Sequence, residues 1–273
     1  MSNSRVSALL LALAVCALAV FAAGCGSSNS SSTNGGSGGE KLTVGSDVPY
    51  PPFEEFGSSK SEFKGFDIEL MEAIGEKTGH EIEFQDTSFE TIFRDVNQGK
   101  FDAAISAATI TEEREKEVDF SNPYYLSEQA ILVKEGSSIK GLSDLAGKTV
   151  GAQQGTTGLE LGKEKAEAGE LRPYPEGPDA INALKAGTVE AVIIDTPVAE
   201  HAVEQTGGIE IAENVPTEED YGIAVAQGNT ELLEEINQGL KEVEEDGTYA
   251  KIYEKWFKTE PPKKIFTATH KAE

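Results

Sequence analysis

Residues 82–107, IEFQDTSFETIFRDVNQGKFDAAISA, decide the fold class. Ile82 and Phe84 alternate with charged neighbours, the two-residue period of a half-buried strand. Phe89, Ile92, Phe93 and Val96 then fall at i, i+3, i+4 and i+7, one stripe of a helix, and Gly99 ends it. Asp102–Ala107 is again a strand. A strand, a helix and a strand in quick succession imply strands laid parallel with a crossover between them.

The same rhythm runs outward in both directions. Upstream, Lys41–Gly45 reads as a strand, and Asp67 can cap a helix that carries Leu70, Met71 and Ile74 on one side and stops near Gly79. Downstream, a Gln129–Lys134 strand is followed by strands at Lys148–Ala152, Leu171–Tyr174 and Val189–Ile194. The helices between them run through Leu159, from Asp179 to Ala186, and past Pro197. Two stretches of this kind predict two α/β lobes built on parallel sheets. Tyr221–Gln227 reads as a further strand, ahead of a long helix with Leu232, Leu233, Ile236, Leu240 and Val243 inward and a last helix presenting Tyr249, Ile252, Tyr253 and Trp256. If this ending packs on the first lobe, the chain crosses between lobes twice, near Tyr124–Glu128 and Glu218–Gly222, and the pair of crossings is a hinge. The expected division is 41–124 with 222–262 as lobe 1 and 128–218 as lobe 2, with 263–273 an unassigned tail.

The beginning of the chain reads as an address. Val6 to Ala23 are nearly all Ala, Leu and Val behind a single cation, Arg5, the layout of a secretory signal peptide over residues 1–24. Ala22-Ala23-Gly24-Cys25 resembles the lipobox of bacterial lipoproteins, which implies cleavage before Cys25 and its acylation. The Ser, Gly and Asn of the following stretch, up to residue 40, form a flexible tether. The globular part is expected outside the cytoplasm, held to the membrane only through the lipid at Cys25.

Composition narrows the function. Of 273 residues, Lys and Arg number 23 against 48 Asp and Glu, a formal net charge of -25. That excludes a cationic nucleic-acid surface and adhesion to anionic lipid through a basic face. The two cysteines, Cys16 and Cys25, both lie in the first 25 residues, so the globular part can have no internal disulfide. There is no G-x-S-x-G, Walker loop, H-E-x-x-H, C-x-x-C or D-x-D-x-D-G run, so neither a metal nor a cofactor is expected. The acid runs Glu112-Glu113 and Glu218-Glu219-Asp220 read as solvated faces or capping charges. The three histidines, His80, His201 and His270, are scattered, and two of them read as solvent-facing helix-end or tail residues.

Polar residues cluster just after apolar strands: Ser106–Thr109, Gln153-Gln154-Gly155-Thr156-Thr157 and Asp195. In open α/β sheets the crevice beyond the carboxyl ends of strands is where ligands bind. Gly155–Thr157 opening a helix suits an anion, and Asp195 either meets a cation or caps the helix at Thr196-Pro197. Together these groups offer opposite charges to a small zwitterion.

The region from about Lys41 to Pro262 resembles the amino-acid-binding proteins of bacterial ABC importers, the family of the histidine, lysine/arginine/ornithine and glutamine binders. The likeness is carried by Gly65-Phe66-Asp67-Ile68-Glu69-Leu70, Ser46-Asp47-Val48-Pro49-Tyr50-Pro51-Pro52-Phe53, Thr109-Ile110-Thr111-Glu112-Glu113-Arg114 and Asp119-Phe120-Ser121. It continues in Gln154-Gly155-Thr156-Thr157, Asp195-Thr196-Pro197, Asp246-Gly247-Thr248-Tyr249 and Trp256-Phe257. The resemblance implies a two-lobe type II periplasmic-binding-protein fold with the ligand cleft between the lobes. It also implies a monomeric receptor, not an enzyme, that hands a free L-amino acid to the permease subunits of an importer whose ATPase acts indirectly.

Site roles follow from the same resemblance. Arg114 grips the α-carboxylate, aided by the backbone N–H groups of Thr109 and Thr157 within the Thr156-Thr157 turn. Asp195, the Thr109 hydroxyl and the Ala107 carbonyl receive the α-ammonium, and Ser106 lines the same strand end. Tyr50 and Phe89 clamp the side chain, although Phe89 also fits the helix core. Asp47 and Gln153 read its tip, and Gln153 stands where the glutamine binder carries a lysine. Asp47 facing Gln153 suits an amide or a cation, so glutamine and a basic amino acid such as arginine both remain. Two other functions share the fold: a cyclohexadienyl (arogenate/prephenate) dehydratase and an amino-acid sensor.

Overall fold

The alternation of Leu42 and Val44 with polar neighbours makes residues Glu40–Ser46 a strand (β1) whose apolar face enters the core of the computed structural model. The model describes residues 39–263 and 265, which pack as one unit. The expected signal peptide, Cys25, nearly all of the tether and most of the tail lie outside the described residues. No helix among the described residues is long and apolar enough to cross a membrane.

From β1 the chain makes a small hairpin, β2 (Glu55–Phe56) and β3 (Phe63–Lys64), and enters helix α1 (Phe66–Thr78). It continues through β4 (His80–Asp86), α2 (Ile92–Asn97), β5 (Ala103–Ala104) and β6 (Val118–Phe120). A long strand β7 (Tyr125–Lys134) leads to β8 (Thr149–Gln153), α3 (Thr157–Glu164), β9 (Glu170–Tyr174) and α4 (Gly177–Ala186). Then come β10 (Ala191–Asp195), α5 (Thr196–Gln205) and a second long strand, β11 (Ile209–Tyr221). The ending is β12 (Ala224–Ala226), α6 (Thr230–Glu245) and α7 (Thr248–Phe257).

These strands form two five-stranded sheets, in the orders β4-β1-β5-β12-β6 and β11-β7-β10-β8-β9. The parallel expectation holds for β1 with β4 and β5, and for β8 with β9 and β10. It fails for β12, antiparallel to β5 and β6, and for β7, antiparallel to β10 and β11. Both exceptions have one cause. The chain leaves the first sheet after β6 and re-enters it as β12, so strands on either side of a transit run against their neighbours.

The transits themselves are extended backbone. β11, which the sequence does not announce, runs for 13 residues and ends by pairing Glu219, Asp220 and Tyr221 with Ser127, Leu126 and Tyr125 of β7. Both transits therefore travel side by side as a two-stranded ribbon. Tyr125 and Tyr221 stack across it with ring centroids 5.5 Å apart, and the Tyr249 hydroxyl of α7 donates to the Tyr124 carbonyl at 2.7 Å. The C-terminal helices thus close over the first sheet, where α6 buries Leu232, Ile236, Leu240 and Val243 against α1.

Two local expectations need correction. Asp67 does not cap α1: the residue before the helix is Gly65, and Asp67 points into the core. Gly65 has φ 142, and a Cβ there would lie 1.9 Å from the Phe53 carbonyl oxygen, so the G-F-D motif begins with a residue that only glycine satisfies. The predicted stripe from Phe89 is also shorter than drawn, since α2 starts at Ile92 and Phe89 sits in the turn before it. From that turn the Phe89 ring packs edge-on against Phe93 of α2, with ring centroids 5.6 Å apart.

Candidate functional site

Parallel strands end their carboxyl termini on one side of a sheet, and here both sheets aim those ends at a single cavity. Asp47 follows β1, and Ser106, Ala107 and Thr109 follow β5. Gln153 ends β8 and Asp195 ends β10. The cavity between them measures about 270 Å³ and is lined by Asp47, Tyr50, Phe89, Ser106, Ala107, Thr109, Arg114, Gln153, Thr156, Thr157 and Asp195. All eleven residues singled out from the sequence are thus brought to one place.

The two sheets touch across this cavity. Gln153 Nε2 donates to Asp47 Oδ2 at 2.6 Å and to the Pro175 carbonyl at 3.1 Å. The Tyr50 hydroxyl donates to Asp195 Oδ2. Arg114, on a turn of 3-10 helix at Arg114–Lys116, donates to the Thr109 carbonyl at 2.6 Å and to the Gly155 carbonyl at 3.1 Å. Its guanidinium also lies 5.0 Å from the Phe89 ring centroid and 4.8 Å from that of Phe93. The aromatic faces hold the planar cation in place without competing for its donors.

Thr156 is the side-chain cap of α3: its oxygen accepts from the Leu159 N–H at 3.2 Å while its hydroxyl donates to the Gln153 carbonyl at 2.9 Å. Asp195 precedes α5 but makes no capping bond, so the capping reading does not hold. Its carboxylate is instead taken by Tyr50 and by Gln129 Nε2, the latter at 2.7 Å.

Charge sets the character of the cavity. Burial raises Asp47 to about 7, with Glu176 repelling it further, while the bond from Gln153 pulls the other way. Burial likewise raises Asp195 to about 7, aided by Glu219 and opposed by its tyrosine partners and Arg114. Desolvation lowers Arg114 to about 10, against the attraction of Glu219 and Asp195. One cation thus faces several crowded acids. The Asp47 end meets neutral donors, the Gln153 amide and the Phe89 backbone N–H.

Four polar side chains at or behind the cavity hold places that the sequence reading did not give them. Glu219, expected as a solvated or capping charge, is 5% exposed and accepts from Thr109, Thr157, Thr217 and Gln129. Gln129, read only as the start of a strand, is buried and bridges Asp195 to Glu219. Glu54 and Asp67 form a fully buried carboxyl pair behind the cavity. Burial and the neighbouring acid push Glu54 well above the carboxylate range, and burial lifts Asp67 to about 7. Asp67 accepts from the Ala107 N–H at 2.7 Å and the Tyr124 hydroxyl at 2.8 Å, pinning a non-glycine residue at φ 45. Glu54 accepts from the Ser106 hydroxyl at 2.7 Å, and Ser106 in turn accepts from the Asp47 N–H at 3.0 Å.

The family model of bacterial extracellular solute-binding proteins, family 3, matches residues 42–259. The chain belongs to this family. Among family relatives, the arginine-binding extracellular protein ArtP of Bacillus subtilis is 35% identical over 253 residues, covering 91% of this chain and 97% of that protein. A solved structure of an ancestral arginine-binding protein bound to glutamine shares 44% identity with a TM-score of 0.77, covering 80% of this chain and 98% of its own. Another, of an ancestral arginine-binding protein bound to arginine, shares 44% identity with a TM-score of 0.76 and the same coverage. The two-sheet architecture of this family member is accordingly the type II periplasmic amino-acid-binding fold, as expected.

Proposed function

We propose that this protein captures a free polar amino acid, L-arginine in first place, and delivers it unchanged to an ABC importer. The observation that carries the choice of ligand is Asp47, a buried carboxylate with a neutral partner and a second acid, Glu176, nearby. A guanidinium at that end would supply the cation it lacks. At the other end Arg114 meets the α-carboxylate and Asp195 the α-ammonium, so every charge of arginine finds a complement. The names of the relatives support the same ligand class. Tyr50 and Phe89 then flank the aliphatic stem.

Capture works by closure in this reading. Residues 41–124 with 222–262 and residues 128–218 act as two lobes that swing about the β7–β11 ribbon. Ligand binds the first through Arg114 and Thr109, and closure adds Gln153, Thr157 and Asp195. The receptor works as a monomer outside the cytoplasm, tethered by an acylated Cys25 and docking on permease subunits. Binding without turnover is supported by the relatives, which are named as binding proteins.

Calorimetric titration with arginine, lysine and glutamine, followed by chromatography of the recovered ligand, tests this. Tight binding of intact arginine is expected. A preference for glutamine would move the ligand to the amide class, and chemical conversion would place the protein among enzymes of this fold.

A further inference from the structure

We infer that Glu219 is the latch of the closed state, a positioning residue that ties the two sides of the cleft together from the hinge ribbon itself. The inference rests on the reading of the protein as a closing receptor. Glu219 lies on β11 where that strand pairs with Ser127 of β7, within the transit between the sheets. Its Oε2 accepts from the Thr109 hydroxyl at 2.6 Å and from the Thr157 hydroxyl at 2.8 Å. Thr109 follows β5 of the first sheet, and Thr157 opens α3, which follows β8 of the second. One carboxylate oxygen therefore holds a residue from each side.

The other oxygen is occupied as well. Oε1 accepts from Gln129 Nε2 at 2.9 Å and from the Thr217 hydroxyl at 3.0 Å, both on the ribbon strands. Glu219 is thus anchored to the hinge by one oxygen and to the cleft by the other. Opening the cleft must break at least one Oε2 bond, because Thr109 and Thr157 separate when their sheets do. Bonds to a buried carboxylate are charge-assisted and stronger than neutral ones.

The latch also sets the chemistry of the threonines. A hydroxyl that donates its only proton to Glu219 presents lone pairs to everything else. Thr109 is thereby fixed as an acceptor beside Asp195, the orientation an α-ammonium requires. Closing the cleft and orienting the ammonium site are then one event, made through a residue that need not touch the ligand.

The test compares the full chain with Glu219→Ala and with the isosteric Glu219→Gln, which guards against misfolding. Binding of arginine is followed by stopped flow, and the separation of the two sides is read in ligand-free protein by spin labels on exposed positions. In Glu219→Ala the dissociation rate should rise about tenfold to a hundredfold, with the association rate changed less than about threefold. In Glu219→Gln the rise should be intermediate, since one amide face can still accept. The ligand-free closed population should fall in both variants. Unchanged dissociation and an unchanged closed population would overturn the latch while leaving the ligand assignment standing. A parent that binds no amino acid but loses its closed population in Glu219→Ala would sink the assignment and keep the latch.

Discussion

Replacing Asp47 by Asn should move two measurements in opposite directions. Asp47 is 2% exposed, and its carboxyl is raised from 3.8 to about 7 by burial and by Glu176. That rise spans roughly three pH units at about 1.4 kcal/mol each, so holding the carboxylate ionised in the empty cavity costs on the order of 4 kcal/mol. Relaxation lowers the measurable share to about 2 kcal/mol, as buried charges in proteins recover part of their cost. Asn keeps an oxygen for Gln153 Nε2 and carries no charge, so the ligand-free variant should unfold at higher temperature than the parent. Arginine binding should collapse instead. Removing one partner of a buried ion pair costs about 3–5 kcal/mol, roughly two to nearly four powers of ten in affinity. Glutamine, with a neutral amide at its tip, should lose only one ordinary bond, about 0.5–1.5 kcal/mol. Thermal unfolding without ligand and calorimetry with both ligands, at about pH 7.5 where the parent carboxyl is mostly ionised, read all three numbers. Arginine affinity within a few-fold of the parent would refute the assignment of Asp47 to the tip of the ligand.

Arg114→Ala removes the cation held between Phe89 and Phe93 and leaves the ligand α-carboxylate unpaired. Calorimetry should show a loss of about 3–5 kcal/mol for every amino acid ligand, whatever its side chain. The pH dependence has a definite sign. Asp47, Asp67 and Asp195 all titrate near 7 in the folded protein against an ordinary 3.8, so the folded state holds more protons than the unfolded one between those values. Their contribution to ligand-free stability therefore falls as pH rises through that window and levels off above it, and the thermal midpoint should be higher at about pH 5 than at about pH 7.5. A bound cation favours the ionised carboxylates, so arginine should bind more weakly at the lower pH and release protons on binding, which calorimetry in two buffers of different ionisation enthalpy measures.

What could be read from the sequence was whatever apolar periodicity and glycine punctuation carry. Leu70, Met71 and Ile74 with Gly79 mark α1, and the glycine at φ 81 closes that helix through its N–H to Gly75. Ser106, Ala107, Thr109, Gln153, Thr156, Thr157 and Asp195 were reachable because they follow apolar strands whose ends a parallel arrangement brings together, whereas Asp47, Tyr50, Phe89 and Arg114 were reachable only through the family resemblance. β11 was hidden for a physical reason. Its exposed side carries acids, and its register slips between Ile211 and Glu213 and again between Val215 and Glu219, so no two-residue period survives along it. The strands β7 and β12 were legible, but their antiparallel direction was not, because direction depends on where the chain returns, which no local window contains. Buried charge was the deepest omission. A run such as Glu218-Glu219-Asp220 looks solvated because acids are seldom buried without partners, and the partners of Glu219 lie at Thr109, Gln129 and Thr157, far away in sequence. The same holds for Glu54 against Asp67. Pattern therefore locates the walls of this cleft, while its electrostatics exist only once distant segments meet. In the proposed reading those electrostatics are what favour a cationic side chain over an amide, so the choice of ligand belongs to tertiary structure more than to any motif.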